Sequence, residues 1–404
     1  MIWGAGKMKN SPDIRVVILA GGEGKRLANL TTGSDGITVP KQYCSWLGEE
    51  SLVRASLQRA REITDSNRIY VSVLERHRTY WQEQLRDLPE RQIISQPANR
   101  GTGMGVLFPL LEIYRQAPDA TVVLMPSDQH VDTPEILAAS IDRAIELSQH
   151  DDKRLMLLGM SPDHAETEYG WIVPKGEEED GTLDVLTFEE KPSPARARDI
   201  MARGSLWSSL IVVGQLSAFL RIYDRAAHLL LHVFLRSFQR NPAPNNIRSL
   251  YEDLPDLDFS RDLLAACPQM LRCIPVPACG WSDLGSAARV STCLRERIGK
   301  RARHFRQSRG LSMHELSQRA RVSKASLEKY EQGLLSIDPT LTKDVAAAMN
   351  LTVDDLLGLR QLYRSRRPSL SRGLWDAARI SHSLENVLPI RSSIDFTEAH
   401  PGPV

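Results

Sequence analysis

Residues 14 to 42 read IRVVILAGGEGKRLANLTTGSDGITVPKQ, and the rest of the chain is organised around this stretch. The apolar, β-branched run from Ile14 to Ala20 predicts a buried parallel strand. The run ends at Gly21 and Gly22, and Gly24 follows two residues later. Glycines after a strand let backbone N–H groups approach a phosphate chain closely. The stretch therefore predicts a phosphate-binding turn, with an ordinary strand-to-helix turn as the alternative.

Two cations follow this glycine turn. Arg26 carries a planar charged group and Lys41 a compact one, and both suit phosphate. The glycine spacing G-G-x-G matches neither the dinucleotide-binding fingerprint nor the P-loop. The turn is thus expected to bind phosphate in another way.

Composition limits the class of protein. A chain of 404 residues predicts two or three domains, and its formal net charge of +1 argues against a strongly basic chain. No run of 18 apolar residues occurs, so we expect no membrane span, and the N-terminus lacks a signal peptide's apolar core. Five cysteines without a CxxC pair indicate free thiols in a reducing cytoplasm, with neither disulfides nor zinc.

Strands alternate with helices after the glycine turn, which predicts a mostly parallel, Rossmann-like α/β sheet with helices on both faces. Ligands in such sheets lie beyond the carboxyl ends of the strands. Shorter strands are predicted within residues 168–213, and one long helix is predicted over 216–238. The predicted helices are 51–63, 79–88, 105–115 and 134–149, and the predicted strands are 68–74, 92–95, 121–125 and 155–160, with a further strand and a tight turn within 271–284.

Two aspartates stand at predicted turns. Asp128 follows a buried strand in MPSDQHV, and Asp283 lies in GWSDLGS. Carboxylates aimed at a phosphate site suit Mg²⁺, which is usually held by one or two of them together with substrate phosphates. The alternatives are a helix-capping role for Asp128 and an ordinary turn at Asp283.

Two further strand ends carry sugar-binding chemistry. Lys191 suits a sugar phosphate, and Glu190 suits sugar hydroxyls. Tyr169 and Gly170 combine an aromatic wall with close backbone approach. A solvated strand end and a plain β-turn are the respective alternatives.

A polar loop, QPANRGT, is expected at the end of strand 92–95. Amide side chains present both donors and acceptors, so this loop suits the edge of a base. The candidate residues are Gln96, Asn99, Arg100, Gly101 and Thr102.

The segments LAGGEGKRL, PKQ, QPANRGT, PSD, EYG, FEEKP, WSS and GWSDLG occur in this order over residues 14–295. The series resembles the sugar-phosphate nucleotidyltransferases, and the PKQ ending is most similar to mannose-1-phosphate guanylyltransferases. The resemblance implies attack of a sugar 1-phosphate, most simply mannose 1-phosphate, on a nucleoside triphosphate, most simply GTP, with Mg²⁺ and release of pyrophosphate.

The resemblance also implies roles for the residues above. Those expected at the nucleotide are Leu19, Ala20, Gly21, Gly22, Gly24, Arg26, Lys41, Gln96, Asn99, Gly101 and Thr102. Those expected at the sugar phosphate are Tyr169, Gly170, Glu190, Lys191 and Ser208. Asp128 and Asp283 would hold Mg²⁺, and the catalytic set would be Arg26, Lys41, Asp128 and Lys191.

Three features depart from that family's pattern. Asn29 replaces a usual proline, TTGSDGIT lengthens the loop before Lys41, and Ser208 replaces a frequent asparagine. They motivate a rival hypothesis, in which the chain is a transcriptional regulator that senses a sugar nucleotide without turning it over.

Residues 299–359 form a second predicted module, of helices. Ser312 and Glu315 make a capping box, Arg321 makes a turn, and Ser323 caps the next helix. The spacing resembles the lambda-repressor/Cro-type helix-turn-helix domain. A helical bundle used for dimerisation is the alternative.

The helix-turn-helix resemblance implies a DNA interface and a homodimer. The residues expected in the major groove are Lys324, Ala325, Ser326, Glu328 and Lys329. Arg301, Arg303 and Arg306 are expected near phosphates, supported by Arg364, Arg366 and Arg367. The predicted organisation is a tail over 1–13, domains over 14–295 and 299–359, and a basic, disordered tail over 360–404.

Overall fold

The computed structural model describes residues 12–33, 36–45, 50–239, 244–252, 254–336 and 338–357. The predicted tail 360–404, with Arg364, Arg366 and Arg367, lies outside these residues, as does most of the predicted tail 1–13. The described residues divide into two compact units. The first unit comprises residues up to 25, then 39–45 and 50–284, and the second comprises 26–38 and 285–357.

The first unit is built on one nine-stranded sheet with the order β3-β2-β1-β4-β8-β5-β9-β7-β6. Strands β1 to β4 pair in parallel, while β8 runs antiparallel between β4 and β5. The expected mixed, mostly parallel α/β architecture is confirmed in this parallel half. The strands are β1 Ile14–Leu19, β2 Ile69–Leu74, β3 Ile93–Gln96, β4 Thr121–Pro126, β5 Leu155–Met160, β6 Gly170–Glu177, β7 Leu183–Glu190, β8 Leu206–Gln215 and β9 Leu271–Val276.

Fourteen α-helices lie within the described residues, and none of them has both the length and the apolar character needed to cross a bilayer. The second unit contains α1 and α10 to α14. The helices are α1 Ala28–Thr31, α2 Leu52–Ile63, α3 Arg78–Gln84, α4 Gly101–Gln116, α5 Pro134–His150, α6 Pro194–Ala202, α7 Leu216–Ala226, α8 His228–Gln239, α9 Pro244–Glu252, α10 Ala287–Ser308, α11 Met313–Ala320, α12 Lys324–Glu331, α13 Pro339–Ala348 and α14 Val353–Leu357.

Alternate residues of the central strands enter two hydrophobic cores, one on each face of the sheet. On β4, Val122 and Leu124 pack into the core that contains α4, whereas Val123 and Met125 pack into the core that contains α2 and α5. This period of two follows from the pleat of a strand. A sheet covered on both faces explains why β1, β2 and β4 read as continuous apolar runs.

The parallel register brings the carboxyl ends of neighbouring strands together. Leu19 of β1 pairs with Ser72 of β2 and with Pro126 of β4. Leu74 near the end of β2 pairs with Gln96 at the end of β3. The glycine turn, the segment around Asp128 and the polar loop after β3 therefore start from one edge of the sheet.

The predicted single helix over 216–238 is wrong, because the chain breaks between α7 and α8. Ala227 has φ −142° and ψ 44°, outside the helical region, and its N–H closes the last turn of α7 on the Tyr223 carbonyl at 2.7 Å. No glycine or proline marks this break, so the apolar rhythm alone did not reveal it.

The second unit is held by a core of its own. Ile298 and Ala302 of α10 pack with Leu316 of α11, Leu327 of α12 and Val345 of α13. Helix α10 is continuous from Ala287 to Ser308. The predicted domain boundary at 295–299 falls inside this helix, and the compact units divide at residue 285.

Candidate active site

The glycine turn after β1 is held by the residues that follow Lys41. The buried Gln42 side chain donates to the carbonyls of Ala20 at 2.9 Å and Gly22 at 2.8 Å. The Tyr43 hydroxyl donates to the Ala20 carbonyl at 3.2 Å. Because these carbonyls point toward Gln42, the N–H side of the turn remains available to a ligand. No site role was predicted for Gln42 from the sequence, although its place directly after Lys41 in PKQ was a usable signal.

Gly24 makes room for the Lys41 backbone. Its φ is +68°, and a Cβ there would lie 2.9 Å from the Lys41 nitrogen. Both facts exclude a side chain at this position without a shift of the loop. The turn and Lys41 are therefore adjacent because residue 24 is glycine.

Lys41 connects the two predicted metal-binding aspartates. Its ammonium lies 2.8 Å from the Asp128 carboxylate and 3.5 Å from the Asp283 backbone carbonyl. The segments carrying the aspartates are also joined by backbone hydrogen bonds between His130 and Ser282, at 2.8 and 3.0 Å. Residues 155 positions apart in the sequence are thus brought to one cation.

Tyr169 contacts the second aspartate directly. Its hydroxyl donates to Asp283 Oδ1 at 2.8 Å. Its ring is 6% exposed and packs edge-on against Trp207 and Trp281, with centroids 5.1 and 5.4 Å away. The sequence predicted a wall for a sugar, but in the structure the Tyr169 hydroxyl orients Asp283.

The other predicted sugar residues meet across the β6–β7 hairpin. Gly170 pairs with Glu190, and the Lys191 N–H donates to the Tyr169 carbonyl at 3.1 Å. A Cβ at Gly170 would lie 2.7 Å from the Glu190 carboxylate, so glycine permits this close approach. The Lys191 side chain is exposed.

Backbone strain coincides with the candidate residues. Within the described first unit, the non-glycine residues with positive φ are Lys191 at 50°, Leu210 at 57° and Leu284 at 48°. Leu284 directly follows Asp283, and Leu210 lies in the β8 bulge beside Ser208. Such conformations cost about 1–3 kcal/mol and cluster at functional sites. The half-buried Ser208 accepts a hydrogen bond from the Leu210 N–H at 3.3 Å.

The polar loop after β3 differs from the prediction. Gln96 is 3% exposed, and its amide donates to Ser72 Oγ at 3.0 Å. As placed, it supports the loop from the core instead of presenting its amide to a base. Helix α4 already begins at Gly101, where a Cβ would overlap the Leu257 carbonyl, and Thr102 Oγ1 accepts the Phe259 N–H at 2.8 Å. The segment 257–259 thus covers part of the loop.

Asn99 is an exposed member of that loop and contacts the glycine turn. Its side-chain amide donates to Glu23 at 3.2 Å, and Glu23 also binds Lys25 at 2.5 Å and Arg76. The hydrogen bond from Lys25, with those from Arg76 and Asn99, lowers the pKa of Glu23 to about 2. The turn therefore carries an ionised carboxylate at neutral pH.

Arg26 is exposed in the short turn Lys25–Leu27 and belongs to the second unit, so its role at a triphosphate stays a prediction. All five cysteines are buried free thiols. Burial raises the pKa of Cys44 and of Cys273 to about 12, which leaves these two thiols without nucleophilic character at neutral pH.

The second unit has the predicted helix-turn-helix caps. Ser312 and Glu315 form a capping box at α11, and Ser323 caps α12. Arg321 takes the left-handed conformation at φ 57° and ψ 37°, as its turn position requires. The predicted DNA-contacting residues lie on the first two turns of α12. Lys324, Ala325, Glu328 and Lys329 are exposed, and Ser326 is half-buried.

The expected phosphate role of Arg306 is wrong. This side chain is 9% exposed and pairs with Glu331 through two hydrogen bonds of 2.6 and 2.8 Å. It therefore joins α10 to α12 inside the unit. Arg301 donates to the backbone carbonyls of Leu356 and Asp355, each at 2.8 Å, whereas Arg303 is exposed.

Two family models match the chain. The model for nucleotidyl transferase matches residues 15–293, more than half of the chain, and a model for a helix-turn-helix domain matches residues 297–357. The matches follow the two predicted modules. Both the suspected family and its fusion to a helix-turn-helix domain are thereby confirmed.

Curated relatives match the first module. The xanthan biosynthesis protein XanB of Xanthomonas campestris pv. campestris is 28% identical over 291 residues, which are 68% of this chain and 58% of XanB. The mannose-1-phosphate guanylyltransferase 2 of Escherichia coli O157:H7 is 27% identical over 305 residues, which are 69% of this chain and 59% of that protein. The chain thus spans less than two thirds of the length of these relatives.

Solved structures share the fold. The crystal structure of a protein described as mannose-1-phosphate geranyltransferase, from Thermus thermophilus, aligns with a TM-score of 0.61 at 21% identity. The alignment covers 70% of this chain and 78% of the other.

Proposed function

This chain belongs to the nucleotidyl transferase family, and on that premise we propose that it transfers a nucleotidyl group from a nucleoside triphosphate to a sugar 1-phosphate. GTP and mannose 1-phosphate are the proposed substrates, because mannose-1-phosphate guanylyltransferases occur among its relatives. A sugar-phosphate oxygen attacks the α-phosphorus. The bond to the bridging oxygen of the β-phosphate breaks, and pyrophosphate leaves.

One observation carries the proposal. The ammonium of Lys41 lies 2.8 Å from the Asp128 carboxylate and 3.5 Å from the Asp283 carbonyl, next to the glycine turn. A positive group already stands where a cation is expected, and two carboxylates are the ligands that Mg²⁺ prefers. The Asp128 carboxylate and the Asp283 backbone carbonyl meet at this ammonium, and these contacts support a proposed Mg²⁺ site held by Asp128 and Asp283. When bound, that ion would neutralise charge on the phosphates.

The chain's own residues position the reactants. Backbone N–H groups of the glycine turn donate to the triphosphate, and Lys41 exchanges its contact with Asp128 for a phosphate oxygen. Lys191, which directly follows β7 and has a positive φ, holds the sugar phosphate, and Glu190 accepts hydrogen bonds from sugar hydroxyls. Phosphoryl chemistry of this kind depends on positioning and charge rather than on a covalent intermediate.

The test is pyrophosphate release from GTP, mannose 1-phosphate and Mg²⁺ by the full chain. We expect turnover that is lost in Asp128→Ala and in Lys41→Met. Asp142→Ala on α5 is the matched control, since Asp142 is exposed and lies outside the site. The proposal is rejected if no common nucleoside triphosphate and sugar phosphate give pyrophosphate.

We also propose that the second unit binds DNA through α12. The exposed side chains Lys324 and Lys329 lie on the helix that follows the helix-turn-helix turn. Log affinity falls linearly with log salt concentration, and each lost phosphate contact makes this slope shallower by about 0.9. Lys324→Ala and Lys329→Ala should weaken binding in this way, while Lys343→Ala, exposed on α13, should not.

A regulator that senses a sugar nucleotide is the second candidate. The observation that favours it is Glu23, an ionised carboxylate within the glycine turn that a triphosphate would approach. It predicts DNA affinity that shifts with GDP-mannose and no pyrophosphate release. Turnover together with DNA affinity that is insensitive to the nucleotide sugar excludes it.

A further inference from the structure

Three metal-binding side chains meet at the junction of α7 and α8, outside the site described above. They are Asp224, His228 and His232, and one ligand atom from each lies within 4.8 Å of the others. None of them has a role in nucleotidyl transfer as proposed. All three are exposed, so an ion in solvent can reach them.

The distances suit a small ion. Nδ1 of His228 and Nε2 of His232 lie 2.7 and 3.3 Å from the same oxygen, Oδ1 of Asp224. A tetrahedral ion with bonds of about 2.0–2.2 Å places its ligand atoms about 3.3 Å apart. The His232 pair already has this separation. The His228 pair reaches it by a movement of about half an ångström, which an exposed side chain makes freely.

His228 and His232 lie one turn apart on α8, whereas Asp224 belongs to α7, and the two helices are not continuous. Asp224 lies in the last turn of α7, His228 begins α8, and Ala227 between the helices is non-helical. The imidazole rings of His228 and His232 are 4.2 Å apart, centroid to centroid. An ion held by all three side chains would therefore join the two helices.

The donor set selects the class of metal. Two imidazole nitrogens and one carboxylate suit Zn²⁺ and its first-row neighbours, whereas Mg²⁺ and Ca²⁺ prefer oxygen ligands. We propose that Asp224, His228 and His232 form a binding site for a late first-row divalent ion such as Zn²⁺. The ion clamps the end of α7 to the start of α8, and its fourth coordination position is open to water.

The experiment titrates the full chain with Co²⁺ or Zn²⁺ alone as the probe, in excess Mg²⁺. The Mg²⁺ occupies oxygen-rich sites such as the proposed aspartate pair but competes poorly for imidazoles. The variants are His228→Ala, His232→Ala and Asp224→Asn. The matched control is His150→Ala, because His150 is exposed on α5 and its Nδ1 lies 3.1 Å from the Glu146 carbonyl.

We expect the wild type to bind one more equivalent of Co²⁺ than the His228→Ala and His232→Ala variants, or to bind it at least about tenfold more tightly. His150→Ala should match the wild type. Zn²⁺ should raise the melting temperature of the wild type and of His150→Ala, and not that of the other variants. Equal Co²⁺ stoichiometry and affinity in wild type, His228→Ala and His232→Ala would overturn the proposal and leave only ion pairs between these side chains. Retained pyrophosphate release in these variants shows that they fold, and its absence in all proteins, wild type included, bears on the proposed function alone.

Discussion

The substitution Tyr169→Phe removes one hydroxyl oxygen, and it tests whether Tyr169 orients Asp283 for catalysis. The hydroxyl of Tyr169 donates to Asp283 Oδ1 at 2.8 Å. The ring stays packed against Trp207 and Trp281, because phenylalanine keeps its size and shape. The substitution therefore removes a hydrogen bond and almost nothing else.

The size of the expected effect depends on the charge of the acceptor, the Asp283 carboxylate. A hydrogen bond to a charged group contributes about 1.5–3 kcal/mol, and 1.4 kcal/mol is a factor of ten. If the bond orients a metal-holding carboxylate, its loss should lower kcat/KM or the apparent Mg²⁺ affinity about 10- to 100-fold, the usual effect of losing a partner behind a metal ligand. A structural hydroxyl alone would change only the stability.

The assay measures pyrophosphate release against Mg²⁺ concentration for the wild type, Tyr169→Phe and Tyr70→Phe. Tyr70 is a matched control, because it is also a buried tyrosine of the first unit, lies on β2, and its hydroxyl donates to Gln116. We expect Tyr169→Phe to need more Mg²⁺ and Tyr70→Phe to behave as the wild type. Identical Mg²⁺ dependence in all three proteins would show that the Tyr169 hydroxyl does not orient a metal-holding carboxylate. In Asp283→Ala, adding Tyr169→Phe should have little further effect.

Three other substitutions test the supports of the two units. Gln42→Met leaves the Ala20 and Gly22 carbonyls without their donor, so it should raise KM for the nucleoside triphosphate and cost about 1–3 kcal/mol of stability. The control Gln92→Met, also buried but bonded to another loop, should affect stability alone in denaturant unfolding. In Gly24→Ala, the added Cβ would clash with the Lys41 backbone at a positive φ, so turnover should fall. Turnover close to the wild type would contradict the close approach of Lys41 to residue 24. Arg306→Met leaves Glu331 buried without its partner, so thermal unfolding of the full chain should show about 3–5 kcal/mol lost from the helical unit, with pyrophosphate release retained. A melting profile unchanged by Arg306→Met would show that the pair contributes nothing.

The parts of the fold that local pattern controls were predictable. Buried runs such as Val122 to Met125 appear as strands, and the Ser312–Glu315 box begins a helix where its chemistry requires. The turn at Arg321 also followed from its place in the helix-turn-helix spacing. In these segments the local sequence and the tertiary structure agree.

Features that depend on distant partners were not predictable. An amide such as Gln96 reads as ligand-binding until Ser72 and a covering segment are placed around it. Arg306 reads as a phosphate contact until Glu331, 25 residues away, is found against it. The antiparallel insertion of β8 between β4 and β5 likewise leaves no local mark. Polar residues therefore gave the least certain predictions, because their roles depend on three-dimensional neighbours.

The same dependence applies to the candidate site. The sequence identified Asp128, Asp283 and Lys41 as separate residues, and the structure puts the lysine in contact with both aspartates. Nothing in the sequence indicated that Tyr169 would bind Asp283, since a tyrosine beside a glycine suggests a ligand surface as readily as a support.

The buried thiols have a practical consequence for spectroscopy. Each native cysteine is at most 7% exposed, and only a thiolate in contact with solvent reacts quickly with a maleimide. A single cysteine introduced at an exposed position, such as Leu334 beside α12, can therefore carry a fluorophore without removing any native cysteine. Fluorescence anisotropy from that dye would report DNA association while pyrophosphate release is followed in the same cuvette.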